Sequence, residues 1–391
     1  MQITIEHLNW RGEGVGDGQT FRNVLAGETV DPATGQVVQA SPERIAPFCK
    51  YFVKCGGCQL QHWQEAPYRA WKKTLVASAL QKRGLDFPVG DIIDAHGAGR
   101  RRVSLHVRRW DGVVTAGFMA ARSHDLIDID QCPILVPALL GAPEIARKLG
   151  AKLGDCDVSF TAADNGLDVT IKAERKIADE QMPRLAGLVA ELNLARLNIN
   201  GNLVAMRVAP IVSIGKALVQ VPPGSFLQAT KLGGETLANL VVAALGKSKS
   251  VADLFCGVGP FAFRVAEQAK VTAVDSDKQA IAALAQAARL ASGLKPLKAE
   301  ARDLMREPLV ANELKEFDAV VFDPPRAGAE AQAKQLAKSA VKTIVAVSCD
   351  PASFARDAEI LMGGGYKIRS LTAVDQFKWT SHVEIVGSFS R

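Results

Sequence analysis

S-V-A-D-L-F-C-G-V-G-P-F, residues 250–261, is an apolar run of strand length that leads directly into a glycine turn and the start of a helix. Three further apolar runs follow it, K-V-T-A-V-D at 270–275, F-D-A-V-V-F-D at 317–323 and K-T-I-V-A-V-S at 342–348. The segments between them are rich in Ala and Leu and are predicted to be helices, at 261–269, 278–291 and 330–340. Strands that alternate with helices form parallel sheets covered on both faces. From about residue 235 onward, the chain is therefore predicted to be an α/β domain.

The glycine turn has the layout of a nucleoside-cofactor site. Gly257 and Gly259 allow a ligand to approach the backbone closely, and the next strand ends in Asp275, whose carboxylate can accept hydrogen bonds from ribose hydroxyls. The turn is not the dinucleotide fingerprint G-x-G-x-x-G, because Phe263 and its neighbours occupy the region where a third glycine is needed.

Two more polar loops follow predicted strands. D-P-P-R-A-G at 323–328 and V-S-C-D-P at 347–351 each come directly after an apolar run. Because parallel strands end at the same rim of a sheet, these loops are expected to meet the glycine turn in one crevice. Open α/β sheets bind their ligands at that rim, so the convergence predicts an active site.

Upstream of this domain the pattern is less regular. Residues 1–46 are rich in glycine and carry short β-type runs, which predicts small antiparallel strands joined by turns. Residues 63–84 carry apolar side chains at helical spacing and end in a glycine, which predicts a helix. Alternating residues between about 91 and 220, with helices predicted at 136–149 and 178–192, indicate a mixed α+β middle domain.

Three cysteines lie close together in F-C-K-Y-F-V-K-C-G-G-C-Q-L-Q-H, at Cys49, Cys55 and Cys58. The two glycines of the Cys-Gly-Gly-Cys step let the backbone fold around an ion or a cluster. Zinc and iron–sulfur clusters are both candidates, since both are held by thiolates in sets of four. Cys132, in D-I-D-Q-C-P-I, is the best fourth ligand, because the cysteines of the α/β loops have other plausible roles. The alternative is a disulfide.

The rest of the composition disfavours that alternative. Seven cysteines is an odd number, and the start M-Q-I-T-I lacks the basic and apolar regions of a secretory leader. We therefore expect a cytoplasmic protein, in which cysteines serve metals or catalysis more often than cross-links. No apolar run approaches the length of a membrane span, so a soluble protein without a membrane partner is expected.

Positive charge is concentrated in one short segment. The net charge is +6, and five arginines crowd together at Arg100, Arg101, Arg102, Arg108 and Arg109. Phosphate is the natural counter-charge for such a strip, which points to a nucleic acid. The alternative is an ordinary solvated basic face.

Seven ordered motifs resemble the RNA (uracil-5-)-methyltransferase family, and most of all its iron–sulfur branch that acts on 23S ribosomal RNA. They are C-K-Y-F-V-K-C-G-G-C-Q-L-Q-H, Q-C-P-I-L, G-S-F-L-Q-A-T, D-L-F-C-G-V-G-P-F, D-P-P-R-A-G, V-S-C-D-P and the closing H-V-E, which together span nearly the whole chain. The resemblance implies S-adenosylmethionine in the glycine-turn crevice and methyl transfer to carbon 5 of one uridine. It also implies a [4Fe-4S] cluster on Cys49, Cys55, Cys58 and Cys132.

The resemblance implies a domain arrangement as well. Residues 1–46 are similar to a TRAM-type RNA-binding β-barrel with its middle trimmed. Residues 47–62 and 91–220 would form an iron–sulfur α+β central domain. Residues 63–90 and 221–391 would form a Rossmann-like class I methyltransferase domain, which makes the chain as a whole α/β. A monomer is expected.

The chemistry requires a nucleophile and a base. Uracil carbon 5 is a weak nucleophile, and adding a thiolate to carbon 6 turns the ring into an enolate that can take the methyl group. Cys349 in V-S-C-D-P is the candidate, and the resemblance places the family's nucleophile there. Its alternative role is that of a small buried apolar residue. Carbon 5 then still holds a proton, for which Glu384 is the predicted base and His382 the alternative.

The predicted cofactor-binding residues are Gln228, Phe255, Gly257, Gly259, Pro260, Asp275, Asp303 and Asp323. Many relatives carry asparagine where this chain has Pro260, and proline has no side-chain amide, so the contact that this amide makes is not expected here. Asp275 replaces the commoner glutamate, which shortens the reach but keeps the carboxylate.

The sequence also leads to an expected RNA substrate and to two alternative functions. A base inside a duplex hides the face that Cys349 must reach, so a looped or flipped uridine in ribosomal RNA is expected, with the Arg100–Arg109 strip holding phosphates. The first alternative is methylation of transfer RNA, whose familiar bacterial enzyme lacks the cysteine cluster. The second is an iron–sulfur RNA-binding protein without catalytic activity.

Overall fold

The computed structural model describes residues 2–391. The helices in that range are α1 Glu65–Gln81, α2 Ala142–Leu153, α3 Met182–Glu191, α4 Lys231–Leu245, α5 Ala262–Ala266, α6 Lys278–Leu290, α7 Glu330–Lys338 and α8 Pro351–Gly363. Short 3-10 helices lie at Pro137–Leu139, Asp179–Gln181 and Glu313–Glu316. None of the helices in this range has the length and apolarity needed to cross a bilayer.

The strands belong to an N-terminal, a middle and a C-terminal region. The N-terminal strands are β1 Ile3–Thr4, β2 His7–Leu8, β3 Gly14–Gly16, β4 Gln19–Phe21, β5 Thr29–Val30 and β6 Val37–Gln39. The next are β7 Ile93–Asp94, β8 Arg102–Trp110, β9 Val113–Met119, β10 Leu126–Asp128, β11 Cys156–Ala163, β12 Gly166–Ala173, β13 Leu194–Ile199, β14 Asn202–Met206, β15 Ile211–Ile214 and β16 Ala217–Gln220. The last are β17 Ser250–Leu254, β18 Lys270–Asp275, β19 Leu297–Ala301, β20 Ala319–Phe322, β21 Thr343–Ser348, β22 Lys367–Asp375 and β23 Glu384–Ser390.

The C-terminal region is built on an eight-stranded sheet with the order β19-β18-β17-β20-β21-β23-β22-β7. Strands β17 to β21 run parallel, as the alternation of strands and helices predicts. The sheet is not wholly parallel, however, because β23 runs antiparallel to both β21 and β22. This reversal brings the first residue of β23 to the rim where the parallel strands end. The edge strand β7 comes from far upstream and pairs in parallel with β22.

Helices and further chain segments cover both faces of this sheet. Along β17, Ala252 and Leu254 belong to the apolar core that contains α7, α8 and part of α1, whereas Val251 belongs to the core that contains α4, α5 and α6. Two apolar faces explain why the strands read as nearly continuous hydrophobic runs.

Two of these helices lie outside the set predicted from the sequence, and both begin with a side-chain cap. Thr230 Oγ accepts a hydrogen bond from Gly233 N at the start of α4, and Asp350 Oδ1 accepts one from Ser353 N at the start of α8. Pro351 occupies the first turn of α8, where a missing N–H costs nothing. The cap of α8 thus follows directly after Cys349.

The middle region is a seven-stranded sheet with the order β10-β9-β8-β11-β12-β13-β14, packed against α2 and α3. The mixed α+β prediction for this region is confirmed, with α2 and α3 near the predicted positions. The hairpin of β15 and β16 follows it and packs its apolar face into the core of the C-terminal region.

Residues 2–46 contain two small three-stranded sheets, β1-β5-β6 and β2-β3-β4, as the short β-type runs predict. Ile3, Ile5 and Val30 belong to their small core. Leu8 of β2 packs against a second cluster, which includes Tyr68 and Trp71 of α1. Helix α1 therefore joins the N-terminal strands to the C-terminal region, where it also packs on α8.

Candidate active site

The β21–β23 pairing places the predicted nucleophile beside the predicted base. Ser348, the last residue of β21, pairs with Ile385 of β23. Continuing this antiparallel register by one residue sets Cys349 opposite Glu384 at the rim of the sheet. Cys349 and Glu384 are 35 positions apart in the sequence (384 − 349). They meet because one follows the last residue of β21 and the other is the first residue of β23.

The electrostatic surroundings of Cys349 hold its thiol in the protonated form at rest. Burial, together with the nearby carboxylates of Glu384 and Asp323, raises the pKa of the Cys349 thiol to about 11. The Arg326 guanidinium acts in the opposite direction. Cys349 is only half-buried, so a substrate can reach its sulfur. The thiolate must therefore form when the substrate is bound.

Glu384 has the properties of a general base at neutral pH. Its side chain is buried, with 3% of the residue exposed. Burial raises the pKa of Glu384 to about 7, although a hydrogen bond from Gln376 and the charges of Arg326 and Lys72 partly oppose this shift. General bases are most effective when their pKa lies near the working pH.

A chain of buried hydrogen bonds links Glu384 to the cofactor side of the rim. Gln376 Nε2 donates to Glu384 Oε1 at 2.9 Å and to Gln228 Oε1 at 2.6 Å. Gln228 Nε2 in turn donates to Asp323 Oδ2 at 3.2 Å. Burial and the charge of Glu384 raise the pKa of Asp323, and the Gln228 bond opposes that rise. The two amides thus fix the positions of both carboxylates.

Sequence reasoning missed Gln376, which is fully buried at 0% exposure. Its one sequence signal is its position directly after the strand β22, where D-Q-F interrupts an alternating run. Its role depends on a contact with Gln228, which lies 148 positions away. Local pattern cannot reveal such a pairing.

A buried ion pair supports the loop that carries Gln376. Asp375 accepts hydrogen bonds from the Lys72 ammonium and, at 2.7 Å, from Tyr68 Oη. Burial lowers the pKa of Lys72 to about 8 even though Asp375 opposes the shift. Trp379 N donates to Tyr68 Oη at 2.8 Å, so helix α1 holds both ends of this loop segment.

The cofactor crevice lies beside this chain of amides and has a volume of about 450 Å³. Of the predicted cofactor residues, it is lined by Gln228, Phe255, Gly257, Pro260 and Asp323. Phe255 holds a φ of 60°, in the left-handed region that a bulky residue rarely adopts. Strained backbone of this kind is concentrated at ligand-binding turns.

The remaining predicted cofactor residues differ from one another in their surroundings. Asp275 Oδ2 accepts a hydrogen bond from Gly257 N at 2.8 Å, so this carboxylate braces the turn from the next strand. Gly259 does not line the crevice; a Cβ there would lie 2.9 Å from Leu284 Cδ1, so glycine is required for packing. Asp303 also lies outside the lining of the crevice, where its Oδ1 accepts from Met305 N at 3.0 Å.

His382, the alternative base, lies close to the same site but in a different state. Its Nε2 is 3.4 Å from a guanidinium nitrogen of Arg326. Burial, with the charge of Arg326 adding to it, lowers the pKa of His382 to about 4, so the imidazole is neutral at pH 7. His382 and Cys349 line the same surface groove.

Three arginines of the strip donate hydrogen bonds to the protein itself, whereas Arg109 is exposed, and phosphate binding by the strip stays a prediction. Arg101 Nε donates to the carbonyl of Gln228 at 3.1 Å, and Arg102 donates to the carbonyl of Leu227 at 3.3 Å. Arg108 donates to the carbonyl of Val107 at 2.8 Å. Arg101 and Arg102 therefore position the loop that carries Gln228.

The four predicted metal ligands line one cavity of about 180 Å³ in the middle region, at Cys49, Cys55, Cys58 and Cys132. All four are free thiols, so the disulfide alternative is wrong for this structure. Within residues 2–391, no group of three or more His, Cys, Asp or Glu side chains is arranged to hold a metal ion. Burial raises the pKa of Cys58 to about 11 and that of Cys132 to about 12.

A profile of the tRNA (Uracil-5-)-methyltransferase family matches residues 130–389. The chain belongs to this family. An uncharacterized RNA methyltransferase of Brucella suis is 45% identical over alignments that cover 100% of this chain and 98% of the relative. The 23S rRNA (uracil(1939)-C(5))-methyltransferase RlmD of Halomonas elongata is 30% identical, over 98% of this chain and 88% of its own length.

A solved structure has the same fold as this methyltransferase. The tRNA (uracil-54, C5)-methyltransferase of Pyrococcus abyssi, in complex with S-adenosyl-L-homocysteine, matches with a TM-score of 0.76 over 100% of this chain and 99% of its own. Its sequence identity is 22%, so this likeness concerns the fold alone. The family membership shows that the protein is an RNA (uracil-5-)-methyltransferase that uses S-adenosylmethionine. The alternative of a non-catalytic RNA-binding protein is therefore wrong.

Proposed function

We propose that this enzyme methylates carbon 5 of a specific, unstacked uridine in 23S ribosomal RNA, with Cys349 as nucleophile and Glu384 as base. The observation that carries the proposal is the β21–β23 register, which sets these two side chains opposite each other beside the cofactor crevice. The ribosomal substrate is favoured over transfer RNA by the relative from Halomonas elongata, which matches over nearly the full length of the chain.

The first half of the reaction activates the uracil ring. Cys349 gives its proton to solvent as the substrate binds, and its sulfur adds to carbon 6, which moves the ring electrons onto carbon 5 and the carbonyl oxygen. Carbon 5 then takes the methyl group of S-adenosylmethionine, whose bond from sulfur to that methyl breaks, so that S-adenosylhomocysteine is the leaving group. Nearby Arg326 favours the thiolate electrostatically and opposes the effect of the two carboxylates.

The second half restores the aromatic base. Glu384 accepts the proton from carbon 5, the double bond between carbons 5 and 6 re-forms, and the Cys349 sulfur departs as thiolate. A carboxylate with a pKa near 7 can take this proton at neutral pH without being fully protonated beforehand. Gln376 fixes the orientation of the Glu384 carboxylate through Oε1, and this bond leaves the other carboxylate oxygen, Oε2, free.

We also propose that Cys49, Cys55, Cys58 and Cys132 hold a [4Fe-4S] cluster. Iron–sulfur clusters of this type are held by four cysteine thiolates, and the four thiols named here line one cavity. The cavity also contains Arg100 and Arg102 and no carboxylate, so its lining can offset the negative charge of four thiolates.

The remaining parts of the proposal concern organisation. Residues 1–46 would be a reduced TRAM-like module, 47–62 with 91–220 the cluster domain, and 63–90 with 221–391 the methyltransferase domain. The separate sheets of the N-terminal, middle and C-terminal regions support this division, with β7 and the β15–β16 hairpin crossing the boundaries. We propose a cytoplasmic monomer.

The decisive experiment maps 5-methyluridine in ribosomal and transfer RNA from cells with and without the gene. The expected result is loss of one modified uridine in 23S ribosomal RNA, restored by the wild-type gene and not by Cys349→Ala. Loss of 5-methyluridine from transfer RNA alone would overturn the ribosomal assignment. RNA containing 5-fluorouridine at the mapped position should remain covalently attached to Cys349, since no proton is available for Glu384 to remove.

A further inference from the structure

A long surface groove leads from the catalytic cysteine to the N-terminal strands. It has a volume of about 850 Å³, far more than one pyrimidine occupies. Cys349 and His382 line one end, the exposed side of α1 around Ser78 forms one wall, and Trp10 lies at the far side. The groove is therefore open to Cys349, and an RNA strand that lies in it can reach the reaction site.

Trp10 is held in place but leaves its ring available. The residue is 66% exposed, although it lies within a tight turn. Asn9 closes this turn: its Oδ1 accepts from Arg11 N at 2.8 Å and from Glu13 N at 3.1 Å. The Arg11 guanidinium lies 4.6 Å from the centroid of the indole and so occupies one side of it. One face of the ring is braced, and the other can accept a flat partner.

The turn is also fixed to the rest of the enzyme. Leu60 lies so close to Gly12 that a Cβ there would come within 3.3 Å of its Cδ1. Leu8, two residues before Trp10, packs against the buried cluster that includes Trp71 of α1. An indole on a braced turn loses little conformational freedom when it stacks on a ligand.

The charge around the groove suits a polyanion. Its lining includes the cations Lys82, Arg83 and Arg326, whereas Asp350 is its one carboxylate, and that residue caps α8. Lys82 is exposed and forms no salt bridge among residues 2–391. Arg83 shares a surface ion pair with Glu359 at 2.9 Å, which is weak enough to be exchanged for phosphate.

We propose that this groove binds the single-stranded RNA next to the target uridine, with Trp10 stacking on an unpaired neighbouring base and Lys82 contacting a backbone phosphate. Aromatic side chains bind single-stranded RNA in this way, because every base has a face on which to stack. The proposal rests on the RNA methylation proposed above and adds the residue that holds the flanking nucleotide. The arginine strip does not line this groove and is not required for this contact.

The test measures binding of a fluorescein-labelled 12-nucleotide oligouridylate to the purified full-length enzyme by anisotropy. Trp10→Ala should weaken binding about 10-fold, the effect of losing one stacked base. Trp10→Phe, which keeps an aromatic ring, should recover most of that loss. The matched control is Trp110→Ala, because Trp110 is 85% exposed, lies on the middle sheet and does not line the groove.

A second arm tests the phosphate contact. Lys82→Gln should reduce the slope of log affinity against log salt by about 0.7, while Lys247→Gln, an exposed lysine away from the groove, should leave it unchanged. Equal oligouridylate affinity for Trp10→Ala and Trp110→Ala would overturn the proposal. Because this assay involves no methylation, it gives its answer even if the modified uridine proves to lie outside ribosomal RNA.

In steady-state methylation of the mapped RNA, Trp10→Ala should raise the KM for RNA about 10-fold and leave the KM for S-adenosylmethionine unchanged. A change confined to kcat would contradict a role in RNA binding. Near-wild-type cofactor binding by Trp10→Ala would show that the variant is folded.

Discussion

The enzyme uses cysteine in two regions, and the neighbours of each thiol distinguish them. Cys49, Cys55, Cys58 and Cys132 converge on a cavity lined by two arginines and no carboxylate. Cys349 instead lies beside two carboxylates, at the rim of another sheet. Burial raises the thiol pKa in both regions, but only the first offers four thiols with two arginines nearby, an arrangement that suits the proposed cluster. The second keeps a lone thiol protonated until its substrate arrives, as covalent catalysis with release of the product requires.

The two regions are nevertheless connected through one residue. Gln59 N and Leu60 N, which follow the cysteine turn, both donate to the carbonyl of Trp379, at 2.9 and 3.1 Å. The ring of Phe48 meets the Trp379 ring edge-on at 4.8 Å. Trp379 lies in the loop between Gln376 and Glu384, so the cysteine segment supports the loop that ends at the proposed base.

The largest expected effect is that of Cys349→Ala, which should reduce methylation by about 10,000-fold or more, because no other thiol lines that groove. Iron content and S-adenosylmethionine binding should be unchanged. Cys156→Ala, a buried cysteine of the middle sheet, is the matched control and should retain activity. Substantial methylation by Cys349→Ala would contradict the covalent mechanism.

Glu384→Gln should have the next largest effect, a 100- to 10,000-fold reduction in turnover. The amide keeps the shape of the side chain but cannot accept the proton, so methyl transfer should proceed and elimination should stall. A methylated RNA–protein adduct that survives denaturing electrophoresis should therefore accumulate. Glu191→Gln, which changes an exposed carboxylate at the end of α3, is the control. Rapid turnover without adduct would identify another base, and His382→Ala would then be the variant to examine.

The sequence predicts a site residue when that residue follows a local strand pattern, and fails when its partners come from distant segments. Gly257, Asp323 and Cys349 each follow an apolar strand, so local pattern placed them at one rim. Glu384 could be named only by resemblance, because the strand it begins is antiparallel to β21 and breaks the βα alternation. Gln376 carried no strong local signal, since its partners come from a distant loop and a neighbouring strand.

The basic segment at Arg100–Arg109 is a second case in which the sequence gives only part of the answer. Its charge was evident from the sequence, but the direction of its side chains was not. Arg101 and Arg102 turn inward to the carbonyls of the Gln228 loop, because those carbonyls have no strand partner at the rim. Trp10, by contrast, looked like an ordinary residue of a small β module. Its importance comes from the groove that α1 and the catalytic loops build opposite it.

Cys58→Ser tests the cysteine cavity and should have an intermediate effect. Hydroxyl oxygen is a poor ligand for iron, so the variant should lose iron and its visible absorbance, and its melting temperature should fall. Methylation should fall by about 10-fold, through the Trp379 loop, since a 1.4 kcal/mol change in positioning is tenfold in rate. Alkylation of Cys349 should be retained. Zinc instead of iron in the wild-type protein, or full iron in Cys58→Ser, would contradict the cluster assignment.

The smallest expected effect is that of Gln376→Met, which keeps a similar volume but removes both amide donors. The hydrogen bond from Gln376 lowers the pKa of Glu384, so its loss should raise that pKa above its present value of about 7. A base works only when deprotonated, so the proton-removal step should lose about 3- to 10-fold at pH 7 and recover near pH 9. The measurement is the pH dependence of product release from the preformed adduct in a single turnover, which separates the titration of Glu384 from that of Cys349.

The control is Gln335→Met on α7, because the amide oxygen of Gln335 accepts a hydrogen bond from Ala311 N far from the rim. An unshifted pH profile for Gln376→Met would mean that the amide chain holds Gln228 and Asp323 for the cofactor and leaves the basicity of Glu384 to burial alone.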